Sequence, residues 1–119
     1  MGVLGAGNFA SKVLLPALRD AGASIDTVVS SGGTTAAIAA ETFGARQASS
    51  DHDALFAREE IDTIVIATRH DSHAAYVERS LRAGKHVFVE KPLAISVAEL
   101  DSVRACLAEL SDGDDPVPL

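Results

Sequence analysis

Gly2-Val3-Leu4-Gly5-Ala6-Gly7-Asn8-Phe9-Ala10 opens the chain directly after Met1, and its reading decides the fold. A short apolar run, Met1 to Leu4, leads into Gly5-x-Gly7-x-x-Ala10. Phe9, Val13, Leu14 and Leu18 then recur at helical spacing, so the glycines stand between a strand and a helix. Each small residue there has a physical use. Gly5 permits the tight turn, Gly7 lets the backbone approach a pyrophosphate, and Ala10 lets the helix pack close to the sheet. With Asn8 and Phe9 in the turn, the free N–H groups and positive end of the helix face the phosphates. The pattern is weak in isolation, because glycine and alanine are common. Its place after a strand and before a helix favours the phosphate reading over a plain turn.

Outward from this turn, further short apolar runs follow: Ile25–Val29, the weak run Arg46–Ala48, Thr63–Ala67 and His86–Val89. Helical patterns separate them. Pro16 interrupts the first helix and removes the bond to the Lys12 carbonyl, so a kink is expected. Ala36–Phe43 reads as a second helix stopped by Gly44, Asp53–Arg58 as a third, and Ser72–Ala83 as a fourth stopped by Gly84. Ser96-Val97-Ala98-Glu99 has the form of a capping box that opens a fifth helix to about Leu110. Alternating strands and helices imply a parallel sheet with helices on both faces. Asp62–Thr68 is nearly all apolar, as a strand buried on both faces would be.

Composition narrows the classes. The chain has 119 residues, enough for one domain and too few for a nucleotide domain plus a substrate domain. Hydrophobic residues at 47% and charged residues at 23% suit a soluble globular protein. A net charge of −7 leaves little for the basic face of a nucleic-acid binder. No apolar run approaches the ~20 residues of a membrane span. The single cysteine, Cys106, sits among Val103, Leu107 and Leu110 and reads as a packed, unreactive thiol. The start lacks the charged region of a signal peptide, so a reducing cytoplasm is the expected setting. The polar tail from Ser111 to Leu119 reads as a connection to a further part of a longer protein.

Three more clusters carry candidate chemistry. After the second strand, Val28-Val29-Ser30-Ser31-Gly32-Gly33 has serine where an NAD-preferring domain places Asp or Glu, roughly 20 residues past the glycines. Without that carboxylate a 2′-phosphate meets no repulsion, which favours NADP over NAD, although the segment is also a plain flexible turn. Arg46 and Arg69 are the candidates for a phosphate clamp. After the fourth strand, Thr68-Arg69-His70-Asp71-Ser72-His73 lies at the crevice where ligands bind such sheets. Thr68 is placed to contact the nicotinamide end, and Asp71 or Ser72 to cap the next helix. No metal site is expected, because His70 and His73 fall on either side of the helix start with no further ligand in view. After the fifth strand comes Glu90-Lys91-Pro92. Pro92 stiffens the loop and keeps Lys91 extended. A partly desolvated lysine there can exchange a proton with a substrate hydroxyl, while Glu90 bonds a ribose or pairs with Lys91. A solvated surface ion pair fits the same residue types equally well.

Gly5-x-Gly7-x-x-Ala10, Thr68, His73 and Glu90-Lys91-Pro92-Leu93-Ala94 together resemble, in order and spacing, the amino-terminal domain of the glucose-fructose oxidoreductase / inositol dehydrogenase (Gfo/Idh/MocA) family. The resemblance spans essentially the whole chain. It implies a Rossmann fold with strand order 3-2-1-4-5 over residues 1–110, and a truncated connection over 111–119 to a substrate domain absent from this chain. It also implies NAD(P)-dependent oxidation of a sugar or cyclitol hydroxyl, or the reverse, with Lys91 as catalytic residue. The implied cofactor contacts are Gly5, Gly7, Asn8, Phe9, Ser30, Ser31, Thr68, Arg69, His70, His73, Glu90, Lys91 and Pro92. Arg69-His70 stand where the family commonly has Pro-Asn, which removes the usual asparagine contact. The expected partner is a small-molecule substrate, and a homo-oligomer is the expected full-length state. Two alternatives remain: a nucleotide-sensing module that binds NAD(P) without using Lys91, and an S-adenosylmethionine-dependent methyltransferase. The latter usually wants an acidic residue after the second strand and has no use for Glu-Lys-Pro.

Overall fold

A computed structural model describes residues 1–111 of the chain. Five strands, β1 (Gly2–Leu4), β2 (Thr27–Val29), β3 (Gln47–Ser49), β4 (Thr63–Ile66) and β5 (His86–Val89), form one parallel sheet in the order β3-β2-β1-β4-β5. The expected order is therefore the observed one. The helices are α1 (Leu15–Asp20), α2 (Gly33–Phe43), α3 (His52–Ala57), α4 (His73–Arg82) and α5 (Val97–Ser111). The connection expected over 111–119 lies outside the described residues apart from Ser111, which ends α5.

The central strands are short and apolar on both faces because both faces are covered. Successive side chains along a strand point to opposite sides. Val3, Val28 and Val65 enter one core with Leu14 and Leu15 from the first helical segment and Ala36, Ala39 and Ala40 of α2. Leu4, Val29, Ile64 and Ile66 enter the other with Leu55 of α3, Val77 and Leu81 of α4, and Val103 and Cys106 of α5. Burial pushes the Cys106 thiol above its ordinary range, so the expected unreactive character has a physical cause. The first core is alanine-rich and brings α2 close to the sheet; the second is filled with Leu, Ile and Val.

Local signals set the helix ends. Gly44 and Gly84 stop α2 and α4 with φ of +70° and +69°. Asp51 caps α3 by accepting from the N–H groups of Asp53 and Ala54. The capping box of α5 forms with a shift. Glu99 N–H donates to Ser96 Oγ, but the Glu99 carboxylate reaches Ile95 N–H rather than that of Ser96. The first helix departs most from expectation. Ahead of Pro16 the chain makes a wide π turn over Ala10–Leu14, in which Leu15 N–H donates to the Ala10 carbonyl. Pro16 cannot donate to Lys12, and the extra residue in the turn accommodates this. It also shifts the phase of the helix. Phe9 and Val13, expected on the buried stripe, stand 49% and 52% exposed, and Leu15 takes the core position.

Candidate functional site

The carboxyl ends of the strands carry the expected clusters to one edge of the sheet. There the Gly5–Ala10 turn, Ser30, Ser31, Thr68 and Arg69 line a single cavity of about 490 Å³. A second cavity of about 410 Å³ is lined by Thr68, His70, His73, Glu90, Lys91 and Pro92, and by Phe9 and Ala67. Phe9, Ala67 and Thr68 border both, so the two form one elongated cleft over β1 and β4. That is the topological switch point of such a sheet, where the chain leaves β1 and β4 in opposite directions.

The two glycines of the turn do different jobs. Gly5 has φ +96°, and a Cβ there would stand 2.4 Å from the Ala67 carbonyl oxygen. Its backbone N–H donates to the Val29 carbonyl at 2.8 Å. Gly5 is therefore required by the packing of β1 against the end of β4. Gly7 lines the cavity, and a Cβ there would meet no atom within 4 Å. Its smallness serves nothing within the protein and leaves room for a ligand. The first helical bond after it runs from Ser11 N–H to the Gly7 carbonyl, and no side chain caps this helix start. Ser11 Oγ donates to the Ala6 carbonyl instead. An uncapped, glycine-lined helix start fits a pyrophosphate.

The segment at the end of β2 that lines the cavity, Ser30–Ser31, carries no carboxylate, and from the β4 side both Arg69 and Asp71 line the same cavity. Arg46, the other expected clamp, lies elsewhere. It precedes β3 and stands 3.9 Å from Asp26, which precedes β2, so it belongs to the amino edge of the sheet. That reading is corrected: a side chain before a strand cannot serve a site at the other end of it. Asp71 and Ser72 were expected to cap α4, and neither side chain does so. Ser72 Oγ donates to the Arg69 carbonyl at 2.7 Å and lies 2.6 Å from Thr68 Oγ1, which ties the Thr68 hydroxyl into the short 3₁₀ turn His70–Ser72.

His73 is fully buried, with Nδ1 at 2.7 Å from the Pro92 carbonyl and Nε2 at 3.0 Å from the Thr68 carbonyl. It lines the cleft, but its nitrogens are directed at protein backbone. His70 is exposed and meets His73 edge to face at 5.6 Å. Lys91 is exposed, Glu90 is half-buried, and the two form no ion pair with each other.

His52 and Tyr76 also line the first cavity and were not singled out in the sequence. Their rings stack at 5.6 Å with an interplanar angle of 10°, Phe56 stacks on Tyr76 at 6.3 Å, and Arg79 lies 4.5 Å over Phe56. The ladder joins α3 to α4, two helices far apart in the chain, and no local signal announces it.

Comparison with known proteins agrees with this geometry. A family model described as oxidoreductase family, NAD-binding Rossmann fold, matches residues 1–112. The dTDP-3,4-didehydro-2,6-dideoxy-alpha-D-glucose 3-reductase of Streptomyces violaceoruber is 40% identical over 100 residues, covering 83% of this chain and 29% of that reductase. The inositol 2-dehydrogenase of Rhizobium meliloti is 47% identical over 60 residues, covering 50% of this chain and 17% of that enzyme. Among solved structures, KijD10, a 3-ketoreductase from Actinomadura kijaniata in complex with NADP and TDP-benzene, superposes with a TM-score of 0.82 at 30% identity, covering 92% of this chain and 34% of KijD10. The chain thus spans about a third or less of these relatives' length.

Proposed function

The chain belongs to the Gfo/Idh/MocA oxidoreductase family, and from that premise we propose that it is the cofactor-holding part of an enzyme that moves a hydride to or from a sugar- or cyclitol-like carbon. As a member it is an NAD(P)-binding oxidoreductase domain. The single observation that carries the proposal is the shared cleft. The open Gly7 position, the two serines and Lys91 line one continuous surface at the carboxyl edge of the sheet.

In this reading Gly5–Ala10 hold the pyrophosphate through backbone N–H groups. Ser30, Ser31 and Arg69 meet the adenosine ribose, and Thr68, His70, Glu90 and Pro92 border the nicotinamide end. The preference for NADP rests on the missing carboxylate beside Ser30 and on Arg69, which lines the same cavity. KijD10, which is similar in fold, was crystallised with NADP. When bound, the nicotinamide supplies or accepts the hydride. Lys91 carries the proton of the substrate hydroxyl or carbonyl, acting as general acid in one direction and general base in the other. The groups that grip the substrate belong to a part of the protein that this chain does not contain, so the chain alone turns over no substrate. A cytoplasmic setting and a homo-oligomeric full-length protein complete the reading.

Titration calorimetry with NADP tests it. Wild type binds, and Gly7→Val, whose Cβ would meet no protein atom within 4 Å but whose side chain fills the open position, does not. Equal affinity in the two would sink the assignment. In a protein carrying this domain with its substrate-binding part, Lys91→Met lowers turnover by at least about 100-fold while cofactor affinity stays within a few fold. Near-normal turnover would reduce Lys91 to a surface charge.

A further inference from the structure

Strands β4 and β5 pair in register as far as Ile66 and Val89. Bonds from β5 to β4 recur at every second residue: His86 N–H donates to the Asp62 carbonyl at 2.8 Å, and Glu90 N–H to the Ile66 carbonyl at 2.9 Å. Continued at that spacing, the next rung would join residue 92 to the Thr68 carbonyl. Residue 92 is proline and has no N–H. The Thr68 carbonyl faces His73 Nε2 instead, and the Pro92 carbonyl faces Nδ1 of the same buried ring. Carbonyl oxygens only accept. A ring that satisfies both must donate from both nitrogens, which is its imidazolium form. A neutral ring would turn a lone pair towards one buried carbonyl and leave that acceptor unmatched.

We propose that His73 is the positioning residue for Lys91: donating from both ring nitrogens, it replaces the rung that Pro92 cannot make and anchors the loop to the end of β4. Lys91 is then held on both sides, by Glu90 N–H on the Ile66 carbonyl before it and by the Pro92 carbonyl on His73 after it. The charged and titratable neighbours of the ring are few. On its own segment His70 lies edge-on at 5.6 Å, flanked by Arg69 and Asp71. From the β5 loop, Glu90 and Lys91 line the same cavity, and Glu90 is the one carboxylate among the lining residues. The β1 side contributes only uncharged Phe9. From α5, Glu99 lines the groove along α4, and its carboxylate is taken by Ile95 N–H.

The ring state is independent of any cofactor, whereas the benefit to Lys91 rests on the function proposed above, so two measurements separate them. In the cofactor-free chain labelled with ¹⁵N-histidine, long-range nitrogen–proton correlation at neutral pH should show a proton on each nitrogen of His73, assigned by its loss in His73→Phe. A bare nitrogen overturns the two-donor clamp. For the second measurement, lysines are reductively methylated with ¹³C, and Lys91 is followed while NADPH is added to saturation. The Lys91 resonance should move in wild type and move less than half as far in His73→Phe. Equal movement overturns the positioning role. Should His73→Phe fail to fold, His73→Gln, which offers one amide in place of two ring donors, replaces it with the same two outcomes. Wild type that binds no NADPH overturns the proposed function, and the ring measurement still decides the clamp.

Discussion

Lys85 and Lys91 bracket the same strand and lead opposite lives. Lys85, ahead of β5, is buried, and its Nζ donates to the carbonyls of Arg58 and Ile61 at 2.8 and 2.6 Å. Lys91, just past β5, is exposed and borders the cleft. The contrast extends along both edges of the sheet. At the amino edge polar groups answer one another. Arg58 donates to Thr27 Oγ1 and Gln47 Oε1 and stands 3.0 Å from Asp26, and the Thr27 hydroxyl donates to Asp26. At the carboxyl edge Gly7, Ser30, Ser31 and Lys91 face open space. A parallel sheet has two chemically different ends, and here the fold consumes the polar groups of one and leaves those of the other for a ligand.

The contrast can be strained most severely at Gly5, a carboxyl-edge residue that behaves like an amino-edge one. Gly5→Ala adds a Cβ against backbone at a positive φ, and should cost about 3 kcal/mol or more in denaturant unfolding. Gly7→Ala should leave stability within about 0.5 kcal/mol. Similar losses for both would mean the turn works as one structural unit. Next in size is the lysine pair. Lys85→Met strands two carbonyls and should cost about 2 kcal/mol, against a change within about 0.5 kcal/mol for Lys91→Met, both read from urea midpoints.

A smaller effect tests what the open edge selects. Ser30→Asp places a carboxylate where the 2′-phosphate of NADP is expected, and should move the NADP/NAD affinity ratio towards NAD by about 1 kcal/mol or more. Wild type that already prefers NAD tenfold would show the serine loop misread. The smallest effect lies at Asp62, ahead of β4. The Thr63 hydroxyl bonded to its carboxylate holds it below the ordinary range, so its contribution is present above the usual carboxylate value and fades as pH falls below it. The stability difference between wild type and Asp62→Asn should therefore shrink as pH drops below about 4. A difference independent of pH would assign the effect to something other than the charge.

Much of the positioning was legible early. Gly5, Gly7, Gly44 and Gly84 announce turns because glycine alone tolerates the required geometry or closeness, and three of these four have positive φ. The apolar run Ile64–Ile66 announces a strand covered on both faces, and the observed cores divide it as expected. The first helix was less legible. Pro16 signalled a disturbance, but a missing N–H can be met by a kink, a break or a wide turn, and only the packing of Leu14 and Leu15 on the sheet selects the turn. Arg46 was misplaced because residue type says nothing about which edge of a strand a short, weak run begins from.

By itself the sequence determined the strand–turn–helix order, the glycine turn after the first strand and the presence of a lysine after the fifth, because each is written in residues close together in the chain. Tertiary structure alone decided the partners. Asp26 meets Arg58, His52 stacks on Tyr76, and His73 spans Thr68 and Pro92. Apart from the local His73–Thr68 contact, these join elements that the crossovers bring together from distant segments, and local propensity and periodicity carry no record of that separation. The clearest case is His73. Its type and place suggest a packed or hydrogen-bonded histidine rather than a ligand, but only the fold sets its two ring nitrogens against the Thr68 and Pro92 carbonyls.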